Sequence, residues 1–172
     1  DFWFSDKSRE YWFKASTAFD NAIRQKFLPD HEAASAGQFD DWQQQARSTL
    51  ALIILLDQFT RNLYRGDART YINDSCACEI TKKTIHKGLD QQLDGWEKSF
   101  LYMPLMHSEN IEDQELSVRL SMEAGLDNTK YALHHRDIVR RFGRFPHRNT
   151  LLGRKSTPEE LDYLASDEAF TG

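Results

Sequence analysis

Seven apolar residues run without a break from Leu50 to Leu56, and the chain then sets Asp57, Gln58, Arg61 and Asn62 within six positions. The run is too long for most strands and lies between stretches of helical spacing, so it reads as a helix buried on nearly all sides. A helix that is apolar all round delivers the polar groups at its end close to the core, where they must find partners. Asp57 and Arg61 are four apart, share a helical face and can meet. The fold must therefore wrap this segment and satisfy its polar end.

The 172 residues fit a single helical domain spanning 1–172, with a sizeable core. Around the buried segment the chain reads as helices of 8–20 residues joined by short capped loops. Residues 2–13 carry Phe2, Trp3, Phe4, Tyr11, Trp12 and Phe13, an aromatic lid with a short helix expected from Ser8. A helix from Thr17 is expected to stop or kink at Pro29, with a second piece over 30–36 closed by Gly37. Asp40 or Asp41 can cap the helix that carries Trp42, Ala46 and the apolar run to Phe59, with 62–66 as a connection. Asn73 or Asp74 caps a helix running to Gly88. Gly95-Trp96 opens another, which Pro104 is expected to end. Helices follow over 111–124 and 129–142, closed by Gly125 and Gly143. Thr157-Pro158-Glu159-Glu160 is a capping box with proline at the first helical position.

No stretch alternates in the strand manner. The expectation is an all-α domain of antiparallel helix pairs. No clean self-similarity appears at periods of 20–50 residues, so any helical-repeat array must be degenerate.

Charge is unevenly placed. Between His134 and Lys155 stand six arginines and one lysine against the single acid Asp137, a local +6 in a chain whose total is −5, leaving −11 elsewhere. An acidic body with one basic segment argues against general nucleic-acid coating and allows a local anion site. The apolar run falls far short of the roughly 20 residues that span a bilayer, and no signal-peptide pattern opens the chain. Its start at Asp1-Phe2-Trp3-Phe4 leads us to expect the natural N-terminus upstream. Cys76 and Cys78 are two apart and point different ways on a helix, so they read as reduced thiols of a cytoplasmic protein.

Three polar clusters are candidates for chemistry. In the first, Asp57 orients Arg61 beside Gln58 and Asn62, and the planar guanidinium then holds a carboxylate or phosphate; the plainer reading is an ion pair tying a helix end to its loop. The second is His107-Ser108-Glu109, a histidine beside a carboxylate, suited to general acid/base work near neutral pH; Ser108 or Asn110 also serves to cap the next helix. The third spans His134, His135, Arg136 and Asp137, then Arg144, His147, Arg148 and Asn149. Arg140 and Arg141 there suit a helix C-terminus, and His135 lies on the apolar stripe as a core histidine. Arg144, His147 and Arg148 occupy a Gly/Pro-bounded loop with no such structural reason for charge. No HExxH, CxxC or Asp-rich calcium pattern occurs, nor a P-loop, dinucleotide fingerprint or nucleophile elbow, so no metal or cofactor is expected. A metal site from Asp57, His107, Glu109 and His147 would need the fold to assemble it.

Three stretches carry a resemblance: 55–66 (Leu-Leu-Asp-Gln-Phe-Thr-Arg-Asn-Leu-Tyr-Arg-Gly), 100–109 (Phe-Leu-Tyr-Met-Pro-Leu-Met-His-Ser-Glu), and 135–149 with His-Arg-Asp-Ile and then Phe-Gly-Arg-Phe-Pro-His-Arg-Asn. The chain resembles the uncharacterised bacterial domain-of-unknown-function family 924 over essentially its whole length. The resemblance implies an all-α fold similar to tetratricopeptide-repeat proteins, a right-handed array of helix pairs, and no established activity. The family's polar signature falls on Asp57, Arg61, Asn62, His107, Ser108, Glu109, Arg136, Asp137, Arg144, His147, Arg148 and Asn149. The chain departs from the pattern at Thr60, where the family usually has proline.

Two functional readings of different class follow, with a third beside them. In the first, the clusters converge on one pocket in which Asp57, Arg61, Asn62, His107, Glu109, Arg136, Arg144, His147 and Arg148 bind an anionic small molecule or a peptide carboxylate. In the second, the protein is a small hydrolase or transferase whose general acid/base is His107 or His147, with Glu109 or Asp57 orienting it and arginines stabilising developing negative charge. In the third, the clusters tie loops in a scaffold that binds another protein. The oligomeric state has no signature in the sequence.

Overall fold

The computed structural model describes residues 1–170. Those residues form helices and contain no strand. In order they are α1 (Asp6–Arg9), α2 (Thr17–Ser35), α3 (Ala46–Ile53), a π-helical segment (Ile54–Phe59), α4 (Thr60–Leu63), α5 (Asp74–His86), α6 (Gly95–His107), α7 (Ile111–Glu123), α8 (Thr129–Phe142) and α9 (Pro158–Leu164). Short 3-10 helices at Asp40–Gln44, Ala68–Tyr71, Leu89–Gln92 and Pro146–Arg148 fill the connections. None of the described helices is long and apolar enough to cross a membrane.

The apolar run lies at the centre. From Leu52 to Thr60 every residue is buried, along α3, the π-helical segment and the start of α4. A π-turn adds one residue per turn and re-phases the side chains, a local distortion common at functional sites. Here it keeps Leu56 and Phe59 in the core and buries Asp57 completely. The N-terminal aromatics close one side: Trp3 and Trp12 pack edge-on against Phe100, at 5.5 and 4.8 Å between ring centroids, and the Trp12 indole N–H donates to the Trp3 carbonyl (2.9 Å). Consecutive helices α5, α6, α7 and α8 pack each on the next through short connections, as antiparallel pairing requires.

Both internal prolines correct the sequence expectation. α2 does not stop at Pro29 but continues to Ser35, because the proline and Gln25, whose carbonyl it leaves without a donor, are both exposed and water can serve that carbonyl. α6 continues past Pro104 to His107. Pro104 cannot serve the Phe100 carbonyl; the next carbonyl, of Leu101, accepts from the Thr81 hydroxyl (3.0 Å), and burial of Phe100, Leu101, Tyr102 and Leu105 holds the helix in place. The N-terminal helix spans Asp6–Arg9 rather than starting at Ser8, because the Ser5 side chain caps it. The helix after the apolar run extends to Leu63, two residues into the expected connection. α8 closes on Gly143 at φ +69°, a conformation that favours glycine.

Candidate functional site

The site begins with how α6 ends. The last carbonyls of a helix lack internal partners. Here the buried Gln114 amide of α7 donates to the carbonyls of Met106 (2.7 Å) and Ser108 (2.6 Å), and the Arg148 guanidinium donates to that of His107 (2.9 Å). His107 is thereby fixed at the tip of α6, and its ring meets the π-helical segment. Nδ1 of His107 lies 2.7 Å from Oδ1 of Asp57.

Asp57 is enclosed by donors. The Gln58 amide donates to its Oδ2 (2.5 Å), and Nη1 of Arg61 approaches Oδ1 at 3.1 Å while donating to the Asp57 carbonyl (2.9 Å). Burial alone would raise the pKa of Asp57, but the charge of Arg61, then the charge and hydrogen bond of His107, hold it well below the usual carboxylate range. For His107, burial and then the charge of Arg61 push the pKa down, against the opposing pull of Asp57. Asp57 is ionised and accepts only, so neutral His107 carries its proton on Nδ1 and presents the lone pair of Nε2. Nε2 has no hydrogen-bond partner among the described residues, and the His107 side chain stays 15% exposed.

That exposure faces a cavity of about 340 Å³ lined by His107 with, among others, Tyr71, Asp74, Ser75, Glu109 and Arg148. Behind it runs a chain of alternating charge. Asp74 accepts from Arg61 (3.1 Å) and from Arg148 (3.1 Å) through the same Oδ2. The Arg148 guanidinium lies between the rings of Tyr71 and Phe145, 4.5 Å from each centroid. Glu109 takes a bidentate pair from Arg154 (2.7 and 2.9 Å) and the Phe145 N–H (2.8 Å). Burial pushes Glu109 up, but these donors outweigh it and leave it below its ordinary value.

The three sequence clusters thus meet in part. Asp57, Arg61, His107, Glu109 and Arg148 come together. Asn62 turns away and donates to Asp20 (2.7 Å). Arg136 pairs with its neighbour Asp137 at 2.7 Å. Arg144 makes a bidentate pair with Glu160 (2.6 and 2.8 Å) and donates to the Lys155 carbonyl, so Arg61, Arg144 and Arg148 form no common clamp. His147 packs on Phe145 and Phe170, and burial with the charge of Arg148 takes its pKa down to about 4. His135 is buried, bonded to the Tyr131 carbonyl (2.8 Å), and taken by burial to about 3. Ser108 donates to Asp113 (2.7 Å), as does the buried Cys78 thiol (3.3 Å), which burial pushes up to about 12. Among the described residues, no three His, Cys, Asp or Glu side chains converge as a metal ion needs.

Sequence reasoning did not single out Asp74, Tyr71, Ser75 or Arg154. Asp74 figured only as a possible helix cap; it lies 74 residues from its partner Arg148, a separation that no local pattern encodes. Arg154 belonged to the basic segment, and its pairing with Glu109 across 45 residues was equally hidden.

Among curated proteins none matches this chain. A solved structure, that of the protein of unknown function ATU0120 from Agrobacterium tumefaciens, is similar to it with a TM-score of 0.88 and 42% sequence identity, over 92% of this chain and 90% of that one. The family described as bacterial protein of unknown function, DUF924, matches residues 1–168. Through that match and the agreement in fold, the chain belongs to the bacterial DUF924 family.

Proposed function

We propose that the cavity beside His107 is the active site of a small hydrolase or transferase, with His107 as general base. The observation that carries this reading is the Asp57–His107 pair: a buried carboxylate fixes the tautomer and orientation of a neutral imidazole whose Nε2 is free at a cavity wall. Such a group takes a proton from water or from a hydroxyl, which contributes roughly 10²–10⁴-fold to a rate. Arg61 and Arg148 are balanced by Asp57 and Asp74. Neither arginine is left over for an anion, and Glu79, Glu109 and Asp113 also line the cavity, so the site suits a small substrate without excess negative charge rather than a polyanion. In this reading the helix pairs serve as a tetratricopeptide-like scaffold and the protein works in the cytoplasm on a small molecule.

Diethyl pyrocarbonate, which acylates neutral imidazole nitrogen, tests this without a known substrate. Peptide mapping of the intact protein at pH 7 is expected to find His107 modified. The rate should fall with acid around a midpoint below the ordinary 6.5, because the lowered pKa keeps the ring neutral to lower pH. His107→Asn should lose that peptide's modification. An unreactive His107, or a midpoint above 6.5, overturns the assignment.

A further inference from the structure

The cavity wall offers four side chains with nucleophilic atoms: Tyr71, Ser75, Cys78 and Ser108. Two are committed. Ser108 donates to Asp113 and accepts from the Asn110 N–H, and the Cys78 thiol is tied to the same carboxylate and held protonated. Tyr71 is fixed under the Arg148 guanidinium, and burial raises its pKa. Ser75 differs. It is exposed, its hydroxyl has no hydrogen-bond partner among the described residues, and it stands in the first turn of the 13-residue α5.

That turn is also open. The preceding Asn73 makes no side-chain cap, its amide being turned to Ser35 and Thr60. The backbone N–H groups of Ser75 and Cys76 have no acceptor among the described residues. Free N–H groups at a helix N-terminus, with the positive end of its dipole, receive developing negative charge. The cavity is thus lined by an oriented base and an uncommitted hydroxyl, and the helical turn that carries the hydroxyl has two backbone donors without acceptors among the described residues.

We infer that Ser75 is the nucleophile of this site and that the substrate class is a small carboxylic ester or thioester. The inference rests on the reading of His107 as general base. Oγ of Ser75 attacks the carbonyl carbon and forms an O–C bond, while its proton passes to Nε2 of His107. The carbonyl oxygen carries the resulting charge toward the N–H groups of Ser75 and Cys76. The C–O or C–S bond to the leaving group then breaks, and the leaving group takes the proton from His107. Water next attacks the acyl-serine, gives its proton to Nε2, and the C–Oγ bond breaks as that proton returns to Ser75. No hydrogen bond joins Ser75 to His107 among the described residues. The serine is at the surface, and exposed side chains exchange rotamers within nanoseconds.

Diisopropyl fluorophosphate gives a test that needs no natural substrate, since Oγ–P forms and P–F breaks with loss of fluoride. Mass mapping of the full chain is expected to place one adduct on Ser75. The adduct should vanish in Ser75→Ala and form at least about 100-fold more slowly in His107→Asn, with both variants retaining the wild-type far-ultraviolet circular dichroism. An adduct on Ser108 or Tyr71, no adduct at all, or equal labelling in His107→Asn overturns the inference. Diethyl pyrocarbonate separates the two failures. If His107 is modified while Ser75 is inert, the base stands and its proton donor is water; if neither reacts, the proposed site falls with the nucleophile.

Discussion

Two buried charge networks are built from the same residue types and behave differently. One ties α9 to the loop after α8. Glu160 is buried and accepts from Arg144 twice, from the Asn149 amide (3.2 Å) and from the Thr157 N–H (2.7 Å), closing the capping box of α9. Both carboxylate oxygens are engaged and the arginine is spent. The other joins Asp57, Arg61, Asp74, Arg148 and His107, and it ends on an imidazole nitrogen with no partner among the described residues at a cavity. Arginine–carboxylate pairing is common to both and so says nothing about function. What separates architecture from a site is whether the network closes on itself or leaves one reactive atom facing open volume.

The comparison is broken first at its carboxylates. Asp57→Ala should have the largest effect, about 3–5 kcal/mol of stability, because it leaves buried donors of Arg61, Gln58 and His107 facing a void. Urea denaturation measures it, and a loss under about 1 kcal/mol would mean that water replaces the carboxylate and the pocket is not sealed behind His107. Glu160→Ala should cost about 2–4 kcal/mol, from the lost cap and the unsatisfied buried partners. It should leave modification of His107 by diethyl pyrocarbonate unchanged in the folded protein. If His107 reactivity falls along with stability, the two networks are one.

How much of this was legible in the sequence depended on distance along the chain. α8 was readable to its ends, because its apolar spacing and Gly143 are local signals. The α9 capping box was equally local. The burial of Asp57 was readable from the apolar run, whereas the π-turn that accomplishes it was not, since composition does not distinguish a π-turn from an α-turn. At the two prolines the local signal argues for a helix end, and non-local facts outweigh it: exposure at Pro29 and core packing at Pro104. Arg144 illustrates the limit at the site. Its loop position suggested ligand binding, yet its partner Glu160 stood 16 residues away and figured only as a cap.

Acid should weaken the fold in two stages, which sharpens the contrast between buried histidines and buried carboxylates. His135 and His147 titrate near 3 and 4 in the folded chain and near 6.5 when unfolded. As pH falls from 6.5 toward 4, the unfolded chain takes up protons that the folded chain refuses. Stability therefore drops by up to about 1.4 kcal/mol per pH unit for each histidine. Asp57 and Glu160 act in the second stage. Their depressed values give stability that is present above about pH 4 and lost as pH falls further, Glu160 losing its share toward about 2. Urea midpoints at pH 7, 5.5 and 4.5 test the first stage, and the fall should flatten in His135→Phe. A stability that stays level from pH 7 to 4.5 would mean that these rings are open to water.

The smallest effect on stability is expected at the residue on which the chemistry depends. His107→Asn keeps a side-chain amide N–H close to the position of Nδ1, so the hydrogen bond to Asp57 has a substitute donor and Asp57 keeps Gln58 and Arg61. The α6 cap is made by backbone carbonyls, which the substitution leaves in place. What goes is the ring edge at the cavity and its packing 6.5 Å from His135. The change in unfolding free energy should stay within about 1 kcal/mol, while every reaction assigned to Nε2 disappears. A residue kept for packing would show the reverse, as Glu160 should. A His107→Asn protein that unfolds as easily as Glu160→Ala would place His107 with the closed network and remove the physical distinction on which the site rests.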